Sequence, residues 1–255
     1  FTPEATFNFE RLKQHVRVAQ RIMDDIIDLE LEKIDAILEK INRDPQSDEV
    51  KETERHLWEK IKARSSQGRR TGVGITAEGD MIAAMGLRYG TQEATDFSVS
   101  VHKTLALTAY ASSVEMAEER GAFSIYDSNR EKNNPFILRI KEADPALYDR
   151  MVKSGRRNIA CLTIAPTGTL STMLGISGGI EPIFANYYTR TTKSLHGKDV
   201  TYKVYTPIVK EYMDAHGIKD DADLPEWFIT SAELEPINRI KMQSTWQAHI
   251  DASIS

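Results

Sequence analysis

One stretch limits what this chain can fold into more than any other: Ile159 to Ser171, reading Ile-Ala-Cys-Leu-Thr-Ile-Ala-Pro-Thr-Gly-Thr-Leu-Ser. Residues 159–165 are apolar apart from Thr163, and Ile159, Thr163 and Ile164 are β-branched. That is the pattern of a strand buried on both faces. Pro166 ends it, because proline cannot donate to a ladder. Thr167-Gly168-Thr169 then supplies a flexible backbone, two hydroxyls and N-cap chemistry for the segment that follows. A strand that runs through such a turn into a helix start leaves several backbone N–H groups without partners. The helix end adds a partial charge of about +0.5, so an anion, above all a phosphate, is the natural guest. The competing reading is a buried strand with an ordinary capped turn. No lysine follows the glycine, so the loop is not of the Walker type.

Composition narrows the class. The chain has 255 residues, enough for one large domain or two small ones, and is 40% hydrophobic and 28% charged, ordinary for a globular protein. A net charge of -5 argues against sequence-independent nucleic-acid binding, which needs a basic face. No apolar run reaches the length of a bilayer span and no signal peptide opens the chain, so the expected location is the cytoplasm. The single cysteine, Cys161, excludes an internal disulfide framework and fits a reducing compartment. Within an apolar strand it behaves as a small hydrophobe.

Around this stretch the sequence reads as mostly helical. A short extended lead-in with Pro3 precedes Asn8, a candidate N-cap. Leu12, Val16, Ala19, Ile22, Ile26 and Leu29 recur at helical spacing, so 9–31 is expected to be an amphipathic helix with that stripe facing the core. Ile34, Ile37, Leu38 and Ile41 carry helix on to about residue 42, Arg43–Ser47 is a turn, and a third helix spans about 48–63. Asp24, Asp25 and Asp28 could suggest a cation site. A helix spreads them over its surface, so a solvated or salt-bridged face is expected and no metal. Gly72 and Gly74 lack the third glycine of a dinucleotide fingerprint; in a strand near 72–76 they allow close approach of a neighbour.

Residues 77–85 and 91–120 are expected as helices ended by Gly86 and Gly121. His102, in the second of these, has no partner at a metal spacing and reads as a satisfied surface or core histidine. Residues 123–135 read as irregular, 135–141 as a connector and 144–154 as a helix. A glycine- and serine-rich loop, 175–179, follows the central stretch. Glu181 is the ionisable residue nearest the proposed site and is expected to orient the loop. Tyr187-Tyr188 reads as strand packing rather than a radical relay. A strand or hairpin over 193–205 and helices over 207–216 and 237–250 complete the chain.

Arg157-Asn158, then Ile164 to Ser171, then Gly179-Ile180-Glu181-Pro182 resembles the C-terminal half of the ribonucleotide reductase catalytic barrel. Arg69 to Thr76, Met23 to Asp28 and Gln243 to Ser255 resemble further segments of the same family. Glycine after Pro-Thr resembles the adenosylcobalamin-dependent branch more than the diiron branch. The resemblance implies an α/β fold, a helix-rich part of a ten-stranded α/β barrel, with residues 1–255 inside one catalytic domain: 1–64 mainly helical, 65–255 carrying barrel strands near 72–76, 159–165 and 183–189. A partial barrel leaves open edges. It further implies that the main chain of Pro166, Thr167, Gly168, Thr169 and Leu170 holds the phosphates of a ribonucleotide, supported by Ser171, Glu181 and Asn158. For the intact enzyme it implies adenosylcobalamin, a thioredoxin-like reductant, the remainder of the same polypeptide and a homodimer. The family's thiyl-forming cysteine turn and redox cysteine pair do not occur in these residues. The chain is therefore expected to be a piece of a longer reductase, inactive alone and with no catalytic residue of its own. A diiron-dependent reductase and a truncated, non-catalytic nucleotide-binding module are the competing classes.

Overall fold

The computed structural model describes residues 5–193 and 197–255. Pro3 and part of the expected 193–205 hairpin lie outside them. The described helices are α1 (Phe9–Arg43), α2 (Asp48–Gly68), α3 (Glu78–Ala84), α4 (Gln92–Arg120), α5 (Ser128–Glu131), α6 (Pro135–Ala143), α7 (Pro145–Ser154), α8 (Gly168–Leu174), α9 (Pro207–His216) and α10 (Pro236–Gln247). Strands β1 (Tyr187–Thr192) and β2 (Val200–Tyr205) form an antiparallel hairpin that pairs Tyr187 with Tyr205 and Thr192 with Val200.

The helix boundaries follow local chemistry. Asn8 caps α1 by accepting from the Arg11 amide at 2.9 Å, and Thr91 caps α4 by accepting from Ala94. Asn134 caps α6, which opens on Pro135, a residue suited to the first helical position because its missing N–H has no acceptor there. The region read as a connector is thus a helix, with Phe136, Ile137 and Ile140 buried. The α1 stripe also differs from expectation. Val16, Ile27, Ile34 and Ile41 are buried together with Gln20 and Asp24, whereas Ile22, Ile26 and Leu29 are exposed. The polar residues that turn inward have buried partners, which rotates the helix away from its most apolar face.

Barrel-like strands are present as short parallel pairings rather than as long ladders. Val73 pairs with Leu162, Ile164 with Ile254, and Ile183 with Thr230, all parallel. The central stretch 159–165 therefore lies between residues near 71–74 and near 252–255. Its register is fixed by Thr71 N donating to Ala160 O (3.0 Å), Val73 N to Cys161 O (2.8 Å) and Ser255 N to Ile164 O (3.0 Å). A strand confined to 183–189 is not what forms: Ile183 makes its single bridge, and the ladder begins at Tyr187.

Gly72 and Gly74 allow this contact. A Cβ on Gly74 would lie 2.1 Å from the Thr163 carbonyl oxygen, and one on Gly72 would lie 2.6 Å from the Thr163 methyl. The methyl can move where the carbonyl cannot. Gly72→Ala is accordingly expected to destabilise the protein by about 1–3 kcal/mol through overpacking, read as a lower urea midpoint at unchanged m-value.

Leu105, Ala109, Tyr110 and Val114 of α4, Leu162 and Ile164 of the central stretch, and Met242 and Trp246 of α10 share one core. Ile183, Val209, Tyr212, Met213 and Phe228 form a second, smaller one. No helix among the described residues is long and apolar enough to cross a membrane.

Candidate functional site

Two neighbouring strands end in the same way. After Thr76, Ala77 takes a left-handed conformation (φ 67°) and α3 begins; after Pro166, Thr167 does the same (φ 52°) and α8 begins. Neither residue is glycine, and a β-branched residue in this region carries a backbone cost of about 1–3 kcal/mol. Thr167 is held there by its own hydroxyl, which accepts from the Gly179 amide at 2.7 Å and sits 2.9 Å from the Thr76 hydroxyl.

The two helix starts then part company. The start of α3 is filled by protein: Ala77 N donates to Ser177 O (3.1 Å), Glu78 N to Gly179 O (3.3 Å) and Asp80 N to the Ser177 hydroxyl (3.2 Å). The Asp80 carboxylate in turn accepts from Ser177 N at 3.0 Å. Burial raises the pKa of this carboxyl against the two hydrogen bonds from Ser177 that lower it. At α8 no side chain caps the helix. The amides of Gly168, Thr169 and Leu170 belong to the first turn and have no intrahelical acceptor, and all three residues are exposed. The first satisfied amide is that of Ser171, which donates to Thr167 O at 2.7 Å.

Ser171 is buried and ties the turn together: its hydroxyl donates to Gly168 O (3.0 Å) and its carbonyl accepts from Ile176 N (3.0 Å). Glu181 contacts the loop through its main chain, its amide donating to Gly178 O, while its half-exposed carboxylate pairs with Arg239 on α10. Asn158 is elsewhere. It stands before the central strand, at the end opposite Pro166, and its amide group binds Gln20, Ser113, Asp24 and the Arg69 carbonyl. Its hydrogen bonds join it to α1 and α4, and none of them reaches the loop. Besides Ser171, Thr76 and Gly179 support the turn through the Thr167 hydroxyl, and Ser177 in turn holds Thr76. Only the position of Thr76 at the end of a glycine-marked strand hints at such a role in the sequence.

A cleft of about 890 Å³ borders α8, lined among others by Ser171, Thr172, Phe184, Tyr188 and Tyr205. Its lining takes in Ser171, Thr172 and Gly175 but not Gly168, Thr169 or Leu170. Tyr187 is packed, edge-on to Tyr205 at 5.7 Å and under the Lys203 ammonium at 4.3 Å. Cys161 is fully buried, and burial drives its thiol far above the ordinary range.

The acidic residues of α1 are salt-bridged, as expected, but Asp24 is not solvated. It is fully buried between Arg69 and Arg157, with Arg120 nearby; Asp25 pairs with Arg120 and Asp28 with Arg69. Their carboxylate oxygens lie within 4.8 Å of one another, and guanidinium groups already neutralise them.

Residues 1–255 match the family model for the ribonucleotide reductase barrel domain, and the chain belongs to that family. It is 26% identical to the vitamin B12-dependent ribonucleoside-diphosphate reductase of Mycobacterium tuberculosis (strain ATCC 25618 / H37Rv), covering 97% of this chain and 31% of that protein. A protein of the same name from Thermoplasma acidophilum is 27% identical, with 97% and 29% covered. The ribonucleoside-diphosphate reductase subunit alpha of Chlamydia pneumoniae is 24% identical, with 96% and 24% covered. The chain thus spans no more than about a third of the length of these curated relatives.

Proposed function

We propose that this chain is the phosphate-holding part of an adenosylcobalamin-dependent ribonucleoside-diphosphate reductase, an enzyme that reduces ribonucleotides to deoxyribonucleotides in the cytoplasm. The observation that carries this reading is the contrast between the two turns: the start of α3 is closed by the 177–179 loop, while the start of α8 is open and uncapped. Three converging amides at a helix N-terminus are matched to a phosphate. Each such bond to a charged oxygen contributes about 1.5–3 kcal/mol, which positions a diphosphate without reducing it. The main-chain amides of Gly168, Thr169 and Leu170 form the cradle; Pro166, which has no N–H to donate, lines it at most, and Thr167 and Ser171 hold its shape.

Adenosylcobalamin, suggested by the names of two relatives, supplies a radical when bound. A thiol must receive that radical beside the substrate, and the residues of this chain do not fit the task. Its one thiol, Cys161, is buried in the core, out of reach of a substrate. No chemical step is therefore assigned to these residues. The radical cysteine, the cobalamin site, the contact with a thioredoxin-like reductant and the homodimer interface belong, in this reading, to the remainder of the polypeptide.

The test is made on the intact protein encoded around this segment. Incubated with a nucleoside diphosphate, a dithiol and adenosylcobalamin, it is expected to form deoxynucleotide, and to form none when cobalamin is withheld. Turnover without cobalamin that depends on a second, iron-bearing subunit would move the chain to the diiron branch. Turnover by the 255 residues alone would overturn the division of labour.

A further inference from the structure

The phosphate reading leaves two buried ionisable side chains without a role. Glu78 opens α3, His102 lies on α4, and both side chains are wholly inaccessible. The Ser98 hydroxyl donates to one Glu78 carboxylate oxygen. The other oxygen lies 3.6 Å from His102 Nε2, within ion-pair reach but too long for a hydrogen bond. Neither ring nitrogen of His102 has a hydrogen-bond partner among the described residues, so this is not the satisfied histidine that its sequence context suggests. The imidazole stacks on Trp246 at 5.4 Å, Trp246 meets Tyr89 edge-on, and the Tyr89 hydroxyl donates to Ile180 O at 2.7 Å.

Burying such a pair is costly next to an apolar core of the same shape, so its placement needs a reason. The position of Glu78 supplies one. Its side chain is fixed to α4, while its amide donates to Gly179 O; the Gly179 amide then donates to the Thr167 hydroxyl. A continuous path therefore runs from His102 and Ser98 through Glu78 and Gly179 to the strained residue that opens α8. We propose that Glu78 and His102 act as one positioning couple, which sets the left-handed Thr167 turn, and with it the open amides of α8, against the α4 scaffold. The couple touches no substrate. The inference rests on the phosphate reading and adds the residues that hold the cradle in place.

The intact reductase carrying Glu78→Gln or His102→Gln tests it. Each change is expected to raise the KM for the nucleoside diphosphate roughly 10-fold and to move kcat less than about 2-fold. In the double variant the rise should stay at roughly 10-fold rather than reach about 100-fold, because partners in one unit do not add. Should the single variants fold poorly, Glu78→Leu/His102→Leu removes both buried polar groups at once, and is expected to restore folding while KM stays high. A lowered melting temperature with unchanged KM, or effects that multiply in the double variant, would overturn the couple. Thr169→Glu in the same enzyme separates the two ideas. If it raises KM while the Glu78 and His102 variants do not, the couple alone falls. If Thr169→Glu leaves KM unchanged, the phosphate cradle falls and takes the couple with it.

Discussion

Replacing Thr169 with glutamate should raise the KM of the intact reductase for its nucleoside diphosphate about 100-fold, equivalent to about 2.7 kcal/mol. Thr169 is the second residue of α8 and is exposed. A carboxylate there satisfies the free amides and the helix dipole in place of the phosphate, and repels what it replaces. The same carboxylate stabilises an uncapped helix by about 0.3–1 kcal/mol. Affinity and folding stability are thus expected to move in opposite directions, a combination that general damage to the fold does not produce. Thr169→Val should leave KM within about 3-fold of the wild type, since the proposed contact is made by the main chain. Steady-state kinetics and thermal melting on the two variants settle the matter, and an unchanged KM for Thr169→Glu removes the cradle.

Much of this geometry is legible in the residues themselves. An apolar, β-branched run broken by proline and followed by Thr-Gly-Thr specifies a buried strand, a turn and a helix start; the turn and the helix start form as read, while the run is buried but pairs only through isolated parallel bridges at Leu162 and Ile164. Gly72 and Gly74 announce a close approach, and Thr163 is what approaches, through its methyl at Gly72 and its carbonyl at Gly74. The length of α4 follows from its Thr91 cap and its stop at Gly121. What was not legible depends on partners distant in sequence. Nothing local shows that the apolar face of α1 yields to Gln20 and Asp24, because the reason lies in Arg69, Thr71, Arg157 and Asn158. The family resemblance implies Asn158 as a support for the loop, but its side chain bonds to Gln20, Ser113, Asp24 and the Arg69 carbonyl. An extended strand between Asn158 and the loop puts them at opposite ends of one element. The left-handed Thr167 could not be read either, since its strain is offset by a hydroxyl bond to Gly179 across a loop.

Asp24→Asn should lower the unfolding free energy at neutral pH by about 3–5 kcal/mol, the cost of breaking a buried ion pair by removing one partner. Asp24 is fully buried and serves Arg69 Nε at 2.8 Å, Arg157 Nε at 3.1 Å and the Asn158 amide at 2.9 Å. Burial opposes its ionisation, but the hydrogen bond and charge of Arg69, followed by those of Arg157, more than reverse this and hold the carboxyl below its ordinary value of 3.8. A carboxyl lowered in the folded state contributes stability that is fully present above the unfolded pKa and fades as pH falls through the folded one. The gap between wild type and Asp24→Asn, measured by urea denaturation, should therefore be constant from neutral pH down to about 5 and close progressively below about 4. At the acid end a protonated aspartic acid and an asparagine are nearly the same group to Arg69. A gap that stays constant to the lowest pH would mean that charge is not what Asp24 contributes. No gap at neutral pH would instead place the stability in the bonds Arg69 makes to the Asp24 carbonyl at 3.0 Å and to Asp28 at 2.7 Å, neither of which the substitution removes.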